Sequence, residues 1–140
     1  MNQKIPIQCI SSKQCFERLS KESSSYLVDV RTKPEWLFVG IPDLQSLQKK
    51  TICVSWHVYP NMETNHNFES EILESGINKQ DNIFLICRSG NRSFNAAAKL
   101  ISRGFTNCFN VKDGFEGEIG PNHQRSTING WKFNNLPWKQ

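Results

Sequence analysis

The sequence predicts an α/β fold built around a mainly parallel sheet. Apolar segments alternate with amphipathic segments along the chain, which is the order of strands and helices in such folds. Two apolar segments stand out: residues 82–87 are almost entirely hydrophobic, and residues 25–31 are a compact apolar run that ends in charge. Unbroken runs are typical of strands that are buried on both faces of a parallel sheet.

The first half of the chain supplies two strands and two helices. A short strand is predicted at residues 6–10, and Ser11 or Ser12 suits the N-cap of the helix that follows it. Residues 25–31 form the first buried strand, after which Pro34 fits the first turn of a second helix. Residues 39–50 contain glycine, proline and polar side chains, so we expect a loop there.

The second half repeats the alternation. Residues 51–59 are predicted to form a strand that ends at Pro60, and residues 67–77 a helix that ends at Gly76. A buried strand at 82–87, a helix that begins near Ser93 and a strand at 107–111 follow. The tail is predicted to be irregular, with Trp131 and Trp138 holding it against the domain.

The composition is typical of one folded domain and does not favour nucleic-acid binding. The chain has 140 residues, 37% of them hydrophobic, and a net charge of +4. Its basic residues are scattered, which argues against nucleic-acid binding, and no apolar run is long enough to cross a membrane. We expect a single domain over residues 1–140, with a core at about 7–117 and an extension at 118–140.

The cysteines indicate free thiols rather than disulfides or a metal site. There are five of them, an odd number, and the chain begins without an export signal, so a reducing cytoplasm is the expected location. No CxxC pair occurs, and the three histidines have no metal-ligand spacing. We therefore expect neither a metal nor an organic cofactor.

The segment CRSGNRS, which begins at Cys87, is the strongest candidate for a functional site. A strand ending at Ile86 would deliver Cys87 to the carboxyl edge of the sheet, where ligands bind in such folds. Gly90 and Asn91 tolerate the unusual backbone angles of a tight turn. The loop is the set Arg88, Ser89, Gly90, Asn91, Arg92 and Ser93. We expect its N–H groups to form an anion-binding nest at the start of a helix.

A thiol in such a nest loses its proton readily, and the thiolate is a nucleophile. Arg88 and Arg92 are expected to bind an anionic substrate. The alternative is that Cys87 is a buried structural thiol, which two arginines within five residues disfavour. The other four cysteines lie in apolar segments without cationic loops and are expected to be structural.

Cysteine phosphatases also place a thiolate in a nest, with an arginine six positions after the cysteine. Here Arg92 follows Cys87 by five positions, and the sixth position is Ser93. The shorter loop makes a smaller nest, which favours a sulfur atom over a tetrahedral phosphate. A small phosphatase or an arsenate reductase is therefore the less favoured alternative.

Three segments resemble the rhodanese-type sulfurtransferases. CRSGNRS resembles the active-site loop of that family, and GFTNCFNVKDGFEG resembles its last strand and the following turn. YLVDVRTKPEW resembles its first conserved strand and turn, with Asp29, Arg31 and Glu35 in matching places. The resemblance spans residues 7–117, and the ending DGFEG…GWK…LPW is similar to a bacterial single-domain subgroup.

This resemblance implies a fold and a reaction. The fold is a five-stranded, mainly parallel sheet flanked by helices. The reaction is transfer of a sulfane sulfur from an anionic donor such as thiosulfate to a thiol, a protein or cyanide, through a persulfide on Cys87. The amides of the loop would stabilise the persulfide, while Asp29 and Arg31 would be structural unless they form an ordinary surface salt bridge.

Two further interpretations stay open. The family's usual Gly-His-Ile element is missing, since Gly40 is followed directly by Ile41 and by an inserted stretch. With the C-terminal tail, this insertion gives some support to a regulatory or sulfur-carrying module that docks on a protein partner. Trp56 and His57 follow a strand end on the side of Cys87 and are candidates for a pocket wall, although Trp56 is more readily explained as pinning loops to the core.

Overall fold

The structure, a computed structural model, describes residues 7–140. Its elements in chain order are β1 (Gln8–Ile10), α1 (Ser12–Lys21), β2 (Ser25–Asp29), α2 (Lys33–Phe38), β3 (Ile41–Pro42), a 3₁₀ turn (Gln45–Leu47), β4 (Ile52–Cys53), β5 (His57–Val58), β6 (Glu63–Thr64), α3 (Phe68–Glu74), β7 (Asn82–Ile86), α4 (Asn91–Ser102), β8 (Asn107–Val111) and β9 (Trp138–Lys139).

A five-stranded sheet forms the centre of the fold, in the spatial order β1-β8-β7-β2-β4. Its four strand pairings are all parallel. The predicted α/β class and the five-stranded sheet are therefore confirmed. Parallel strands share one carboxyl edge, so the loops after β2, β7 and β8 meet there.

Side chains from both faces of the sheet pack against helices. On β7, Ile83 and Leu85 belong to one hydrophobic cluster, while Phe84 and Ile86 belong to the other. The first cluster also contains apolar residues of α3 and α4, and the second contains residues of α1 and of the tail. Burial on both faces explains why this strand is an unbroken apolar run in the sequence.

The structure contains the capping residues from which the starts and ends of α1, α2 and α3 were predicted. Ser11 caps α1 by accepting a hydrogen bond from the Gln14 N–H, and the Gln14 side chain returns a bond to the Ser11 backbone. Pro34 lies in the first turn of α2, and Gly76 follows the end of α3. The strand expected at 6–10 begins at Gln8, and Pro6 lies outside the described residues.

Three expectations about the connecting segments were wrong. Residues 51–59 are not one strand: β4 joins the central sheet, whereas β5 leaves it to pair with β6. Residues 39–50 are not entirely a loop, and the tail is not entirely irregular, because β3 pairs with β9 in an antiparallel ladder. That ladder joins residues almost a hundred positions apart, which no local pattern in the sequence reveals.

Two tryptophans attach the tail to the domain. Trp131 is fully buried in the second cluster, and its Nε1 donates to the Pro137 carbonyl at 2.7 Å. Trp138 is more exposed but contacts the ring of Phe115 edge-on at 6.2 Å. In the part of the chain described, from residue 7 onward, no helix is both long and apolar enough to cross a membrane.

Candidate active site

Cys87 follows the last residue of β7 and lies at the carboxyl edge of the sheet. Its side chain is only 1% exposed. The backbone turns at Gly90, whose φ of +108° favours glycine, and a Cβ there would collide with the Lys112 carbonyl. The Gly90 N–H donates to the Cys87 Sγ at 3.1 Å, so the turn directs an amide at the sulfur.

The helix after the loop begins earlier than the sequence indicated. Gly90 occupies the N-cap of α4, which starts at Asn91, so the expectation that Ser93 lies near the cap is wrong. Ser93 lies inside the first turn and is buried. Its hydroxyl contacts the Cys87 Sγ at 3.1 Å instead of capping the helix.

The carbonyl groups of the loop are bound by the turn that follows β8. The Phe115 N–H donates to the Cys87 carbonyl at 2.8 Å, and the N–H groups of Glu116 and Gly117 both donate to the Arg88 carbonyl at 3.0 Å. Gly114 permits this approach, because its φ is +68° and a Cβ would collide with the Arg88 carbonyl. These bonds hold the loop carbonyls away from the thiol.

The amide groups of the loop are correspondingly unpaired. Within residues 7–140, no acceptor is present for the N–H groups of Arg88, Ser89, Asn91 and Arg92. Unpaired N–H groups at the start of a helix attract anions through their dipoles. The loop therefore combines one amide that donates to the sulfur with four unpaired amides, which are the groups that form an anion-binding nest.

Arg92 is held by an acidic partner rather than left free. Its guanidinium forms a double hydrogen bond with Glu35 of α2, at 2.7 and 2.9 Å. The Thr32 hydroxyl also donates to Glu35 at 2.9 Å. Arg88, in contrast, is exposed. Among the loop arginines, Arg88 is thus the one available to an anion from solvent, and Arg92 fixes α2 against the loop.

Because of this ion pair, the free energy of unfolding depends on pH in the acid range. Desolvation by burial opposes the charge on Glu35, but hydrogen bonds from Arg92 and Thr32 prevail and lower its pKa to about 2 from an ordinary 4.5. A carboxylate whose pKa is lower in the folded state stabilises fully above pH 4.5 and loses that contribution as the pH falls toward 2.

We expect Glu35→Gln to flatten the fall in unfolding free energy between pH 4.5 and 2. The pH-dependent part that is lost should be on the order of 2 to 3 kcal/mol. Urea unfolding at a series of pH values measures it, with Glu74→Gln, an exposed glutamate of α3, as the matched control. Equal acid dependence in both variants would contradict the assignment to Glu35.

Asp29 and Arg31 form a salt bridge that is completely buried, so the pair is not an ordinary surface bridge. Arg31 Nη2 lies 2.7 Å from Asp29 Oδ2 and also donates to the Gly40 carbonyl at 2.7 Å. The guanidinium stacks over the Phe115 ring at 4.3 Å. Since the Phe115 N–H binds the Cys87 carbonyl, the pair supports the turn that holds the thiol loop.

Trp56 and His57 do not touch the sulfur in any contact that the structure gives. Trp56 is buried in the cluster that contains Cys87 and packs edge-on against Phe68 at 5.2 Å. His57 stacks on Trp56 at 6.2 Å and lies at the start of β5. Packing explains the position of Trp56, and a role for either residue in a pocket wall stays a prediction.

The other cysteines differ chemically from a nest thiol. Burial raises the pKa of Cys15 well above its ordinary value. Burial also raises the pKa of Cys108 to about 12, and burial together with the Asp29 carboxylate does the same for Cys53. A raised pKa disfavours the thiolate, so these three thiols are poorer nucleophiles at neutral pH. Cys15 and Cys108 are buried, whereas Cys53 is exposed, and a structural role for all three stays a prediction. Cys9 lies exposed on β1.

Sequence reasoning missed Asn110 and the turn at residues 113–117 as parts of the site. Asn110 on β8 accepts a hydrogen bond from the Ser93 hydroxyl at 2.5 Å. The turn appears in the sequence only as DGFEG, whose two glycines signal a tight turn but not what it binds. Both contacts cross from β8 to the thiol loop and become visible only with the sheet order.

Comparison with known proteins supplies the family. The family model described as the STR4 middle domain matches residues 7–140. Uncharacterized protein RC0915 from Rickettsia conorii is 42% identical over 135 residues, which cover 95% of this chain and 98% of that protein. The crystal structure of Rv0390 from M. tuberculosis has a TM-score of 0.87 at 39% identity and covers 97% of this chain and 99% of that one.

A named enzyme is among the more distant relatives. Thiosulfate sulfurtransferase GlpE from Pseudomonas savastanoi pv. phaseolicola is 31% identical over 96 residues, 69% of this chain and 74% of that protein. The resemblance inferred from the three sequence segments is thereby confirmed. The chain belongs to the STR4 middle-domain family and is a rhodanese-like domain, with sulfurtransferases among its distant relatives.

Proposed function

We propose that the protein is a sulfurtransferase that carries a sulfane sulfur as a persulfide on Cys87. The observation that carries this proposal is the geometry around the sulfur. One loop amide already donates to Sγ, and four more, two in the loop and two in the first turn of α4, are unpaired within the described chain. Such a nest suits the negative charge of a thiolate and of the terminal sulfur of a persulfide.

The reaction needs two displacements at sulfur. The Cys87 thiolate attacks the sulfane sulfur of the donor, a new S–S bond forms, and the donor's S–S bond breaks with its electron pair leaving on the donor anion. For thiosulfate, that leaving group is sulfite. An acceptor thiolate or cyanide then attacks the terminal sulfur of the persulfide, and Cys87 leaves as the thiolate.

Access and charge favour a small anionic donor. Because Cys87 is almost completely enclosed, a donor must reach it with a narrow, protruding atom, as the terminal sulfur of thiosulfate does. Exposed Arg88 supplies positive charge beside the loop, and the net charge of the chain is +4. The relative from Pseudomonas savastanoi bears the name thiosulfate sulfurtransferase, which supports thiosulfate as the first donor to test.

A sulfur carrier that docks on a protein is the second candidate, favoured by one observation. Leu37 and Phe38, at the end of α2, are 63% and 78% exposed. They line a groove with Val58 and Tyr59, two further exposed apolar residues, and Glu35 of the same helix binds the thiol loop. Exposed apolar side chains so grouped are typical of surfaces that bind proteins.

The experiment is an intact-mass measurement of the reduced protein after brief treatment with thiosulfate, followed by peptide mapping. We expect a gain of one sulfur atom on the peptide that contains Cys87, and its removal by cyanide. No gain, while iodoacetamide still alkylates Cys87, would contradict transfer from thiosulfate and favour the docking module. Hydrolysis of an aryl phosphate by the same protein would favour the phosphatase alternative instead.

A further inference from the structure

A buried chain of hydrogen bonds runs from the thiol into the sheet. The Cys87 Sγ and the Ser93 Oγ are 3.1 Å apart, and the Ser93 Oγ lies 2.5 Å from the Asn110 Oδ1. On its other side, the Asn110 Nδ2 lies 3.2 Å from the Gly90 carbonyl and 3.7 Å from the Cys9 Sγ. Asn110 and Ser93 are both buried.

The orientation of the Asn110 amide follows from its partners. The Gly90 carbonyl only accepts hydrogen bonds, so the amide group that faces it must be the NH₂. The Oδ1 then faces Ser93, and an amide oxygen can only accept. The single proton of the Ser93 hydroxyl is therefore committed to Asn110.

This commitment fixes the direction of the contact with sulfur. With its proton turned to Asn110, the Ser93 oxygen presents lone pairs to Cys87, so it accepts the S–H of the neutral thiol. A thiolate has no proton to offer and would face those lone pairs at the same distance. To donate to a thiolate, the Ser93 hydroxyl must turn, which breaks its bond to Asn110.

We propose that Asn110 is a positioning residue that turns the Ser93 hydroxyl away from Cys87 and so couples ionisation of the thiol to breaking of the Ser93–Asn110 bond. The thiol proton passes to water, and the Ser93 O–H, which keeps its proton, turns its hydrogen bond from the Asn110 oxygen to the sulfur. In a persulfide the inner sulfur carries neither proton nor charge, so Ser93 returns to Asn110. The inference rests on the proposed use of Cys87 as the nucleophile.

Other charges surround the thiol, and the variants below leave them in place. The charged and titratable groups near it are Arg88 and Arg92 of the loop and α4, Glu35 of α2, Asp29 and Arg31 after β2, and, through Asn110, Cys9 of β1.

The test is the pH dependence of Cys87 alkylation by iodoacetamide, followed by peptide mapping. In Asn110→Ala the Ser93 hydroxyl is free to donate to the thiolate, so the midpoint should fall by about one pH unit. Adding Asn110→Ala to Ser93→Ala should move the midpoint no further. Asn107→Ala, at the other end of β8, is the matched control and should leave it unchanged.

Two outcomes would overturn the proposal: an unchanged midpoint in Asn110→Ala, or an equal shift with and without Ser93, which would place the effect on the Gly90 carbonyl. A measurement on the unaltered protein avoids any folding defect. The carboxamide carbon of Asn110, followed by NMR, should shift with the same pH midpoint as alkylation. A signal that does not move through that midpoint would also overturn the proposal.

These readouts need no sulfur donor, so they separate this inference from the proposed function. Coupled midpoints with no uptake of sulfur from thiosulfate would leave the role of Asn110 intact and refute transfer from thiosulfate. If the protein takes up sulfur but its alkylation midpoint is the same with and without Asn110, transfer from thiosulfate would be supported and the role of Asn110 refuted.

Discussion

Replacing Cys87 with serine should abolish sulfur uptake while the fold is retained. Serine has nearly the same volume, and its hydroxyl can occupy the place of Sγ beside the Gly90 amide and the Ser93 hydroxyl. Its oxygen stays protonated at neutral pH and is a far weaker nucleophile toward sulfur than a thiolate. Intact mass after thiosulfate treatment should therefore show no added sulfur in Cys87→Ser.

Two control variants test whether the loss of uptake is specific to Cys87 or follows from removing any one thiol. Cys9→Ser and Cys53→Ser each remove a thiol that lies outside the loop, and both variants should take up sulfur as the unaltered protein does. Thermal unfolding of Cys87→Ser should remain close to that of the unaltered protein. Retained uptake in Cys87→Ser, with loss in Cys9→Ser, would transfer the carrier role to β1.

Removing the carboxylate of Asp29 should produce the largest loss of stability. Among residues 7–140, Asp29→Ala leaves the buried Arg31 guanidinium with the Gly40 carbonyl and the Phe115 ring in contact, and with Glu35 and Glu116 acting on its charge. Breaking a buried ion pair from one side costs about 3 to 5 kcal/mol, because an uncompensated charge remains. Urea unfolding at neutral pH measures this loss.

A double variant tests the reason for that loss. Asp29→Leu with Arg31→Met removes both charges and fills similar volume, so it should be more stable than Asp29→Ala. If the double variant were less stable than the single one, the stacking and the Gly40 contact of Arg31 would matter more than its charge. Sulfur uptake measured in parallel shows whether the Phe115 turn still holds the thiol loop.

Local signals in the sequence predicted the buried strands β2, β7 and β8 and the thiol loop. The unbroken apolar run of β7, followed by glycine and arginine, was sufficient to place Cys87 at a sheet edge beside a helix. The same local pattern predicted that Ser93 caps the helix, because serine is a common cap. That prediction was wrong because the turn at Gly90 lets the helix begin at Asn91, which places Ser93 inside the first turn.

Pairings between distant segments could not be predicted. Arg92 was expected to bind an anionic substrate together with Arg88, and its ion pair with Glu35 was not foreseen. Glu35 lies 57 positions away and meets Arg92 only after β2 and β7 pair. β9, at the end of the tail, forms only by pairing with β3. The strand predicted at 51–59 is interrupted because β5 pairs with β6 and leaves the central sheet. A single sequence shows which residues are able to pair but not which of them come together.

The hydrogen bonds on the loop carbonyls also set an order of events during synthesis. The thiol loop leaves the ribosome before β8 and the turn at residues 113–117, yet that turn supplies the amides that bind the Cys87 and Arg88 carbonyls. β8 also fills the gap between β1 and β7 in the sheet. A nascent chain therefore carries its cysteine for some time without these hydrogen bonds, and the arrangement around the loop forms only when the last third of the domain arrives. A molecule that recognises the folded thiol loop would therefore meet only a chain in which β8 has already joined the sheet.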